Sequence, residues 1–356
     1  MSFVISRTQT FCNRFGLELP ILLAPMAGAC APSLSIAVMR AGGLGSCGAL
    51  MMNPTEILSW AETVRKGSDG PFQINLWIPD PAPLRDPANE KEVRDFLAKW
   101  GPPVDATAGD AVPPDFPSQC DALLKTGAPI VSSVMGLFPA EFVEELKARQ
   151  IAWFANVSTV AEARAAEAAG ADAIVAQGME AGGHRGCFDQ AAAERQMVGL
   201  FSLLPAIVDS VCIPVVATGG IADGRGVAAA LALAASAVQI GTGFLRCPEA
   251  AIHPAWAAAL STTAPEDTMV TRSFSGRAGR SIANTYVRAA TEPAAPAPAP
   301  YPVQRGLTAA MRIEATKTGN IGRMQAWAGQ SAALGRTLPA GVMVRELWKD
   351  ACRLLA

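Results

Sequence analysis

The sequence predicts a (β/α)8 TIM barrel, an α/β fold, with a smaller, mainly helical domain inserted near the C-terminus. From Pro20 onward, eight short apolar runs recur, each followed by a loop and then by an Ala-, Leu- or Glu-rich segment of helical character. The runs are almost continuously apolar, as parallel strands covered by helices require. The chain has 356 residues, half of them apolar, so it is long enough for one large barrel and an appendage.

The predicted strands and helices alternate along the chain. The strands cover residues 21–25, 43–47, 72–77, 129–134, 152–157, 173–177, 214–218 and 237–241. Residues 158–169 and 223–235 are clear helices, with Ser158 or Thr159 and Asp223 as the expected N-caps. A Pro- and Asp-rich stretch, 79–117, contains the helical residues 89–100. We interpret this stretch as the third barrel helix plus an excursion before the fourth strand.

The pattern changes after the eighth strand. Residues 273–277 open a segment that includes an Ala-Pro run at 292–300 and a polar helix from Gln304. We therefore expect residues 246–324 to form the smaller domain, and residues 1–245 plus 325–356 to form the barrel. A domain inserted near the C-terminal ends of barrel strands lies over the active site and helps to select the substrate.

Composition points to a cytoplasmic enzyme with a small-molecule partner. A net charge of −2 and a pI of about 5.8 give no electrostatic signature of nucleic-acid or anionic-membrane binding. Residues 1–7 lack the basic start and apolar core of a signal peptide, and polar residues or glycine interrupt the apolar stretches elsewhere. The cysteines are scattered without zinc-like spacing, so no metal site is expected. The protein is expected to be a monomer or a homodimer.

One of the two histidines lies on a glycine-rich loop directly after a buried strand. His184 stands within the sequence Glu180-Ala181-Gly182-Gly183-His184-Arg185-Gly186. Glycines let the backbone approach a ligand closely, and imidazole has the ordinary side-chain pKa nearest neutrality. His184 is therefore the predicted catalytic residue, in proton chemistry beside a bound cofactor. The alternative is a packed loop histidine that only hydrogen-bonds a carbonyl.

Glycine-rich loops also follow the seventh and eighth predicted strands. Their sequences are Ala217-Thr218-Gly219-Gly220-Ile221-Ala222-Asp223 and Gln239-Ile240-Gly241-Thr242-Gly243-Phe244. Loops at these two positions of a barrel often expose backbone N–H groups that bind a phosphate without any lysine. Two ordinary tight turns are the alternative, but together the loops predict a phosphorylated cofactor or substrate.

The other strand ends favour a flavin over a phosphosugar. Ala24, Pro25 and Met26 follow the first strand, where their backbone could lie flat against a ring. Asn75 and Gln177 supply amides that could hydrogen-bond a ring or ribityl edge. A phosphosugar isomerase needs a carboxylate or lysine at the strand ends. Glu180 is the one such residue that we find close to a predicted strand end. FMN is the predicted cofactor.

These segments together resemble the nitronate monooxygenases, formerly called 2-nitropropane dioxygenases, and especially their bacterial class. The shared motifs are Ala24-Pro25-Met26-Ala27-Gly28, Gln73-Ile74-Asn75, Gln177 through Gly186, Ala217 through Ile221, Gln239 through Thr242, and Trp327-Ala328-Gly329-Gln330. Flavin-dependent enoyl-acyl-carrier-protein reductases and a quinone reductase group look similar through the same segments.

The resemblance implies a cofactor site, a catalytic residue and a reaction. His184 would act on the substrate near the reactive face of the flavin. FMN would be bound by Ala24, Pro25, Met26, Asn75, Gln177, Gly182, Gly183, Gly219, Gly220, Gln239, Ile240, Gly241 and Thr242. An alkyl nitronate such as propionate 3-nitronate would be oxidised by O2 to a carbonyl compound and nitrite, through a flavin semiquinone.

Two alternatives to this reaction stay open at the level of sequence. The first is an FMN reductase supplied by NAD(P)H, because such barrels bind a nicotinamide without a Rossmann fingerprint. The second keeps the barrel without redox chemistry, as a phosphosugar isomerase or phosphate-binding synthase. In the inserted domain, Tyr286, Tyr301, Arg305 and Lys317 could be lid or substrate residues, although solvated surface is the favoured interpretation for each.

Overall fold

The computed structural model of the protein describes residues 3–356. Within that range the strands are β1 (Ile21–Leu23), β2 (Gly45–Gly48), β3 (Phe72–Trp77), β4 (Ile130–Val134), β5 (Ala152–Val157), β6 (Ala173–Gln177), β7 (Gly183–His184), β8 (Val215–Thr218), β9 (Ala237–Ile240), β10 (Thr268–Thr271) and β11 (Gly279–Ile282). A parallel sheet has the order β1-β9-β8-β6-β5-β4-β3-β2, and a parallel bridge between Leu22 and Leu44 brings its two ends together. The fold is the predicted TIM barrel, and each of its strands overlaps a predicted one.

Helices surround the barrel and build a smaller lobe at one end. They are α1 (Phe3–Phe15), α2 (Pro32–Arg40), α3 (Pro54–Gly67), α4 (Pro87–Leu97), α5 (Phe116–Leu123), α6 (Ala140–Ala148), α7 (Val160–Ala168), α8 (Leu200–Val208), α9 (Gly224–Ala232), α10 (Pro254–Leu260), α11 (Thr285–Ala289), α12 (Val303–Leu307), α13 (Ala309–Thr318) and α14 (Ala340–Leu355). The expected N-caps are present: Thr159 forms a capping box with Glu162, and Asp223 accepts from the Gly226 N–H. The C-terminal α14 returns to the barrel and packs against α9 and α2.

Strand residues alternate between the two sides of the barrel wall. Ile21 and Leu23 face the helices and join the large core around the barrel, whereas Leu22 points inward. The inward residues at the N-terminal end pack with Phe11 and Phe15 of α1, and the Phe15 ring lies 4.8 Å from that of Phe154. This end of the barrel is therefore filled, and a ligand site is left to the opposite end.

The third barrel helix is not where the sequence placed it. Of the predicted residues 89–100, those up to Leu97 are helical in α4 and the last three form a turn, but Val93 and Leu97 pack with the C-terminal segment rather than with the barrel. The short α5 buries Leu123 in the barrel core and packs on α3, so α5 takes the third position. The prediction was wrong because α4 has the clearer helical pattern, although the partner for its apolar face lies almost two hundred residues away in the chain.

We use "small lobe" for α4 together with residues 268–324. Its core includes Val93, Leu97, Phe274, Tyr286, Val287, Leu307 and Met311. It also contains the antiparallel hairpin of β10 and β11, which continues onto β7 from the barrel. The segment is thus mainly helical, as expected, with a small sheet that sequence analysis did not indicate. The domain boundaries at 246 and 324 stay a prediction, since α4 shares the same core. No helix in residues 3–356 is both long and apolar enough to span a membrane.

Candidate active site

A cavity of about 480 Å3 opens at the C-terminal ends of the barrel strands, and residues of the small lobe complete its wall. The predicted site residues that line it are Ala24, Pro25, Met26, Asn75, Gln177, Gly182, Gly183, His184, Gly219, Gly220, Gln239, Gly241 and Thr242. Ile240 does not line it, because neighbouring residues of β9 face opposite sides: Gln239 points inward and Ile240 is buried among the helices.

The two glycine-rich loops form a cradle on one side of the cavity. Gly219 and Gly220 both have positive φ, +109° and +69°, and neither amide N–H donates to another described residue. The Thr242 hydroxyl accepts from the Gly329 N–H at 3.0 Å, which leaves its own proton free to donate. Successive unpaired N–H groups in such a turn bind anions. The cradle can therefore hold a phosphate without a cation of its own.

Close backbone approach explains why glycine is needed at 182. A Cβ on Gly182 would lie 2.5 Å from the Gly329 nitrogen, a backbone atom that cannot turn aside. Gly183 differs, because a Cβ there would meet nothing within 4 Å. Gly182 thus lets two chain segments meet beside the cradle, and Gly183 leaves open space in the cavity.

The polar lining includes donors with no partner among residues 3–356. Asn75 donates to the Ser132 hydroxyl at 3.0 Å, and Gln73 donates to the Gln239 side-chain oxygen at 3.0 Å. By contrast, the buried Nδ2 of Asn156 and Nε1 of Trp256 have no hydrogen-bond partner among the described residues. Both residues line the cavity. Because an unpaired buried donor is costly, these two groups indicate a ligand that offers acceptors.

Two sets of contacts fix the backbone of His184. The Gln177 side chain donates to the His184 carbonyl at 3.1 Å and accepts from the Gly186 N–H at 2.8 Å. On the other side, His184 pairs with Gly279 of β11 in the small antiparallel sheet. The predicted loop is therefore the edge of a sheet shared with the small lobe. The Gln177 amide, predicted as a cofactor contact, is largely engaged in holding this segment.

The imidazole of His184 is enclosed by aromatic rings and kept neutral. Its ring centre lies 4.7 Å from both Trp77 and Trp327, and its Nε2 is 2.8 Å from the Ser275 hydroxyl. Burial, and to a smaller extent the positive charges of nearby arginines, together lower the pKa of His184 to about 3. Those arginines are Arg277, Arg305 and Arg312. A neutral histidine in a positively charged region favours an anionic ligand.

The part of the cavity wall that the structure describes contains no carboxylate. Among the described residues that line it, none is Asp, Glu or Lys. Glu180 uses both side-chain oxygens to accept from the Leu200 N–H, at 2.9 and 3.0 Å, so it caps the start of α8. No cluster of three or more His, Cys, Asp or Glu in residues 3–356 could hold a metal ion. This lining gives no support to an isomerase that depends on a carboxylate or lysine.

Sequence analysis missed several residues of the small lobe. Tyr286 and Tyr301 are buried and Arg305 lines the cavity, so the surface interpretation was wrong for these three and right only for the exposed Lys317. Arg312 also lines the cavity and was not singled out. No local motif marks these positions. For the two arginines, the one indication in the sequence is that they are cations in a segment expected to cover the site.

Comparisons with known proteins agree with this geometry. The family model described as nitronate monooxygenase matches residues 10–350. A relative named nitronate monooxygenase, from Paraburkholderia phytofirmans, is 40% identical over 341 residues, which cover 94% of this chain and 93% of the relative. The solved structure of a nitroalkane oxidase from Streptomyces ansochromogenes has a TM-score of 0.88 at 34% identity and covers 96% of this chain and 98% of that one.

A second solved structure shares the fold at a lower similarity. FabK from Thermotoga maritima has a TM-score of 0.75 at 28% identity, covering 97% of this chain and 96% of that one. The family match, by contrast, spans almost all of the sequence and includes both glycine-rich loops and His184. The chain therefore belongs to the nitronate monooxygenase family.

Proposed function

We propose that the protein uses FMN to oxidise alkyl nitronates, such as propionate 3-nitronate, with O2 to a carbonyl compound and nitrite. Family membership supports the oxidation of nitronates. The observation that carries the proposal is that one cavity contains both a phosphate cradle and a neutral histidine, with Arg305 and Arg312 in the same wall. A nitronate is an anion, so this electrostatic setting favours it over the neutral nitroalkane.

The residues present fit FMN. Gly219, Gly220 and Thr242 would hold the phosphate, since their free donors form a cradle that needs no cation. The unpaired Nδ2 of Asn156 and Nε1 of Trp256 would donate to acceptors of the cofactor. When bound, FMN supplies the group that accepts electrons from the substrate and returns them to oxygen.

His184 would bind and orient the nitro group. Nε2 faces Ser275, and the serine hydroxyl can either accept a hydrogen bond from this nitrogen or donate one to it. If Ser275 donates, Nδ1 carries the histidine proton and can donate to a nitronate oxygen. If Ser275 accepts, Nδ1 is free to remove the α-proton of a neutral nitroalkane. Because the pKa of His184 is lowered to about 3, the second role is the weaker one.

The rings around His184 limit the space for substrate. The ring centres of Trp77 and Trp327 each lie 4.7 Å from that of His184. The ring of Trp327 also packs on Phe274, with the ring centres 5.9 Å apart. These two indole rings therefore flank the imidazole. A small nitronate would be held between aromatic surfaces, with its charged end toward His184 and the arginines.

The test is to identify the bound flavin and the products. The flavin released by denaturing the purified protein is expected to have the mass of FMN. Aerobic incubation with ethyl nitronate is expected to release nitrite, without any NAD(P)H. A colourless protein, or one that produces no nitrite from any nitronate tried, would contradict the proposal. Consumption of NAD(P)H with an enoyl thioester or a quinone would transfer the assignment to the reductases.

A further inference from the structure

Two buried arginines lie behind the strand pair that carries His184. Arg185 directly follows β7 and is 2% exposed, and Arg280 lies in β11 and is 6% exposed. The two strands pair in antiparallel register, with His184 opposite Gly279 and Gly183 opposite Arg280. Because neighbouring residues of a strand face opposite sides, the imidazole of His184 points to one side of this small sheet and both arginines point to the other.

Both guanidinium groups bind the same stretch of backbone. Arg185 donates to the carbonyls of Gln177 and Gly178, at 3.3 and 2.8 Å. Arg280 donates to the carbonyl of Met179 at 3.0 Å. These three carbonyls belong to successive residues, at the end of β6 and the start of the loop that leads to His184. Since Gln177 lines the cavity, the two charges lie close behind the cavity wall.

Neither of these charges has a direct counter-ion. No carboxylate of residues 3–356 forms an ion pair with Arg185 or Arg280. Glu162 and Glu180 act on Arg185 only from a distance, and the oxygens of both carboxylates accept hydrogen bonds from backbone N–H groups. The two arginines also repel each other. The backbone behind His184 therefore carries two buried positive charges that no nearby carboxylate neutralises directly.

Binding backbone carbonyls does not require a charge. A neutral amide or hydroxyl can donate the same hydrogen bonds, and it avoids the free-energy cost of burying an unpaired cation. Arg277, which is also 2% exposed, has an ion-pair partner in Asp80 at 3.5 Å. Moreover, Nε and Nη2 of Arg185 have no hydrogen-bond partner among the described residues. The carbonyl contacts therefore do not explain why cations stand at these two positions.

We propose that Arg185 and Arg280 raise the reduction potential of the flavin bound in the cavity. A flavin that accepts electrons gains negative charge, and a buried cation nearby stabilises its reduced form relative to its oxidised form. Two unit charges separated by about 10 Å of protein interior interact strongly enough to shift an equilibrium roughly 10-fold. Neither arginine lines the cavity, so both act through their electric field. This inference rests on the proposed function, because it concerns the cofactor of the same site.

The test measures the midpoint potential of the FMN-loaded protein against a reference dye, without substrate. Arg185→Met keeps a long, unbranched side chain and removes the charge. The variant is expected to lose about 10-fold in its preference for reduced over oxidised flavin, which lowers the two-electron midpoint potential by about 30 mV. Arg280→Met is expected to lower the potential as well, and it provides the test if Arg185→Met does not fold. Arg185→Lys keeps the charge and should stay near the wild-type potential.

Arg164→Met is the matched control, because it removes the same charge from an exposed position on α7. Water and salt screen a charge at such a position, so this variant is expected to keep the wild-type potential. Wild-type potentials in both Arg185→Met and Arg280→Met would overturn the inference. An equal fall in Arg185→Met and Arg185→Lys would also overturn it, because the carbonyl contacts rather than the charge would then set the potential.

The same measurement separates this inference from the proposed function, since no nitronate is present. A lower potential in Arg185→Met, with Arg185→Lys and Arg164→Met near the wild type, supports the inference even if no nitronate is oxidised. Unchanged potentials in both buried-arginine variants overturn it even if the wild type converts nitronates to nitrite. A protein that does not bind FMN would contradict the proposed function and this inference together.

Discussion

Protonation of His184 is expected to make folding stability sensitive to mild acid. The folded protein lowers the pKa of this imidazole from 6.5 to about 3, so between those values the unfolded chain binds a proton that the folded protein refuses. Stability therefore falls as pH decreases from about 6.5 toward 3. With these two pKa values, the contribution of His184 to the loss between pH 7 and pH 5 is about 2 kcal/mol.

The assay is urea unfolding of the wild type and His184→Asn at pH 7 and pH 5, followed by tryptophan fluorescence. The wild type is expected to lose about 2 kcal/mol more than the variant between the two pH values, because asparagine does not titrate. His253→Asn is the matched control, since His253 only caps α10 and asparagine is also a good N-cap. This control should retain the larger loss. An equal loss in the wild type and His184→Asn would refute the reasoning.

Three further predictions concern the site. Gly182→Ala should weaken flavin binding and lower the free energy of unfolding by about 1–3 kcal/mol, because the new Cβ would press on the backbone of Gly329. Gly226→Ala in α9 is the control, since a Cβ there meets only ordinary contacts and should change neither property. Flavin titration and thermal melts measure both effects. Gln177→Leu should lower kcat by roughly 10- to 100-fold while the variant still folds, because leucine cannot make the two hydrogen bonds that hold the backbone at His184 and Gly186. A kcat equal to that of the wild type would contradict this. His184→Asn should impair turnover of neutral nitroethane more than of ethyl nitronate, and equal losses would remove any base role.

Much of the barrel could be predicted from sequence because each strand is a short apolar run. Runs such as 152–157 and 173–177 coincide with β5 and β6, since burial on both faces leaves a continuous local pattern. The hairpin of β10 and β11 could not be predicted in the same way. Its partner β7 is only two residues long and lies about 95 residues earlier in the chain. That pairing is set by tertiary contacts, which no local pattern records.

The candidate site likewise has one part that local sequence predicts and another that depends on tertiary packing. Residues on strand-end loops, such as Gly219 and His184, are identified by motif, and all but Ile240 of the predicted set line the cavity. Ile240 was included because it lies inside a motif, but strand alternation turns its side chain away. Arg305 and Arg312 come from helices with no motif, and only the packing of the small lobe brings them to the cavity.

The most direct test of the account follows the flavin spectrum of the purified protein without oxygen. One sample is mixed with ethyl nitronate and another with NADH or NADPH. The account predicts that the nitronate changes the visible flavin absorbance at once and that neither nicotinamide does. Rapid bleaching by NADH or NADPH, with no response to the nitronate, would contradict it and identify a reductase.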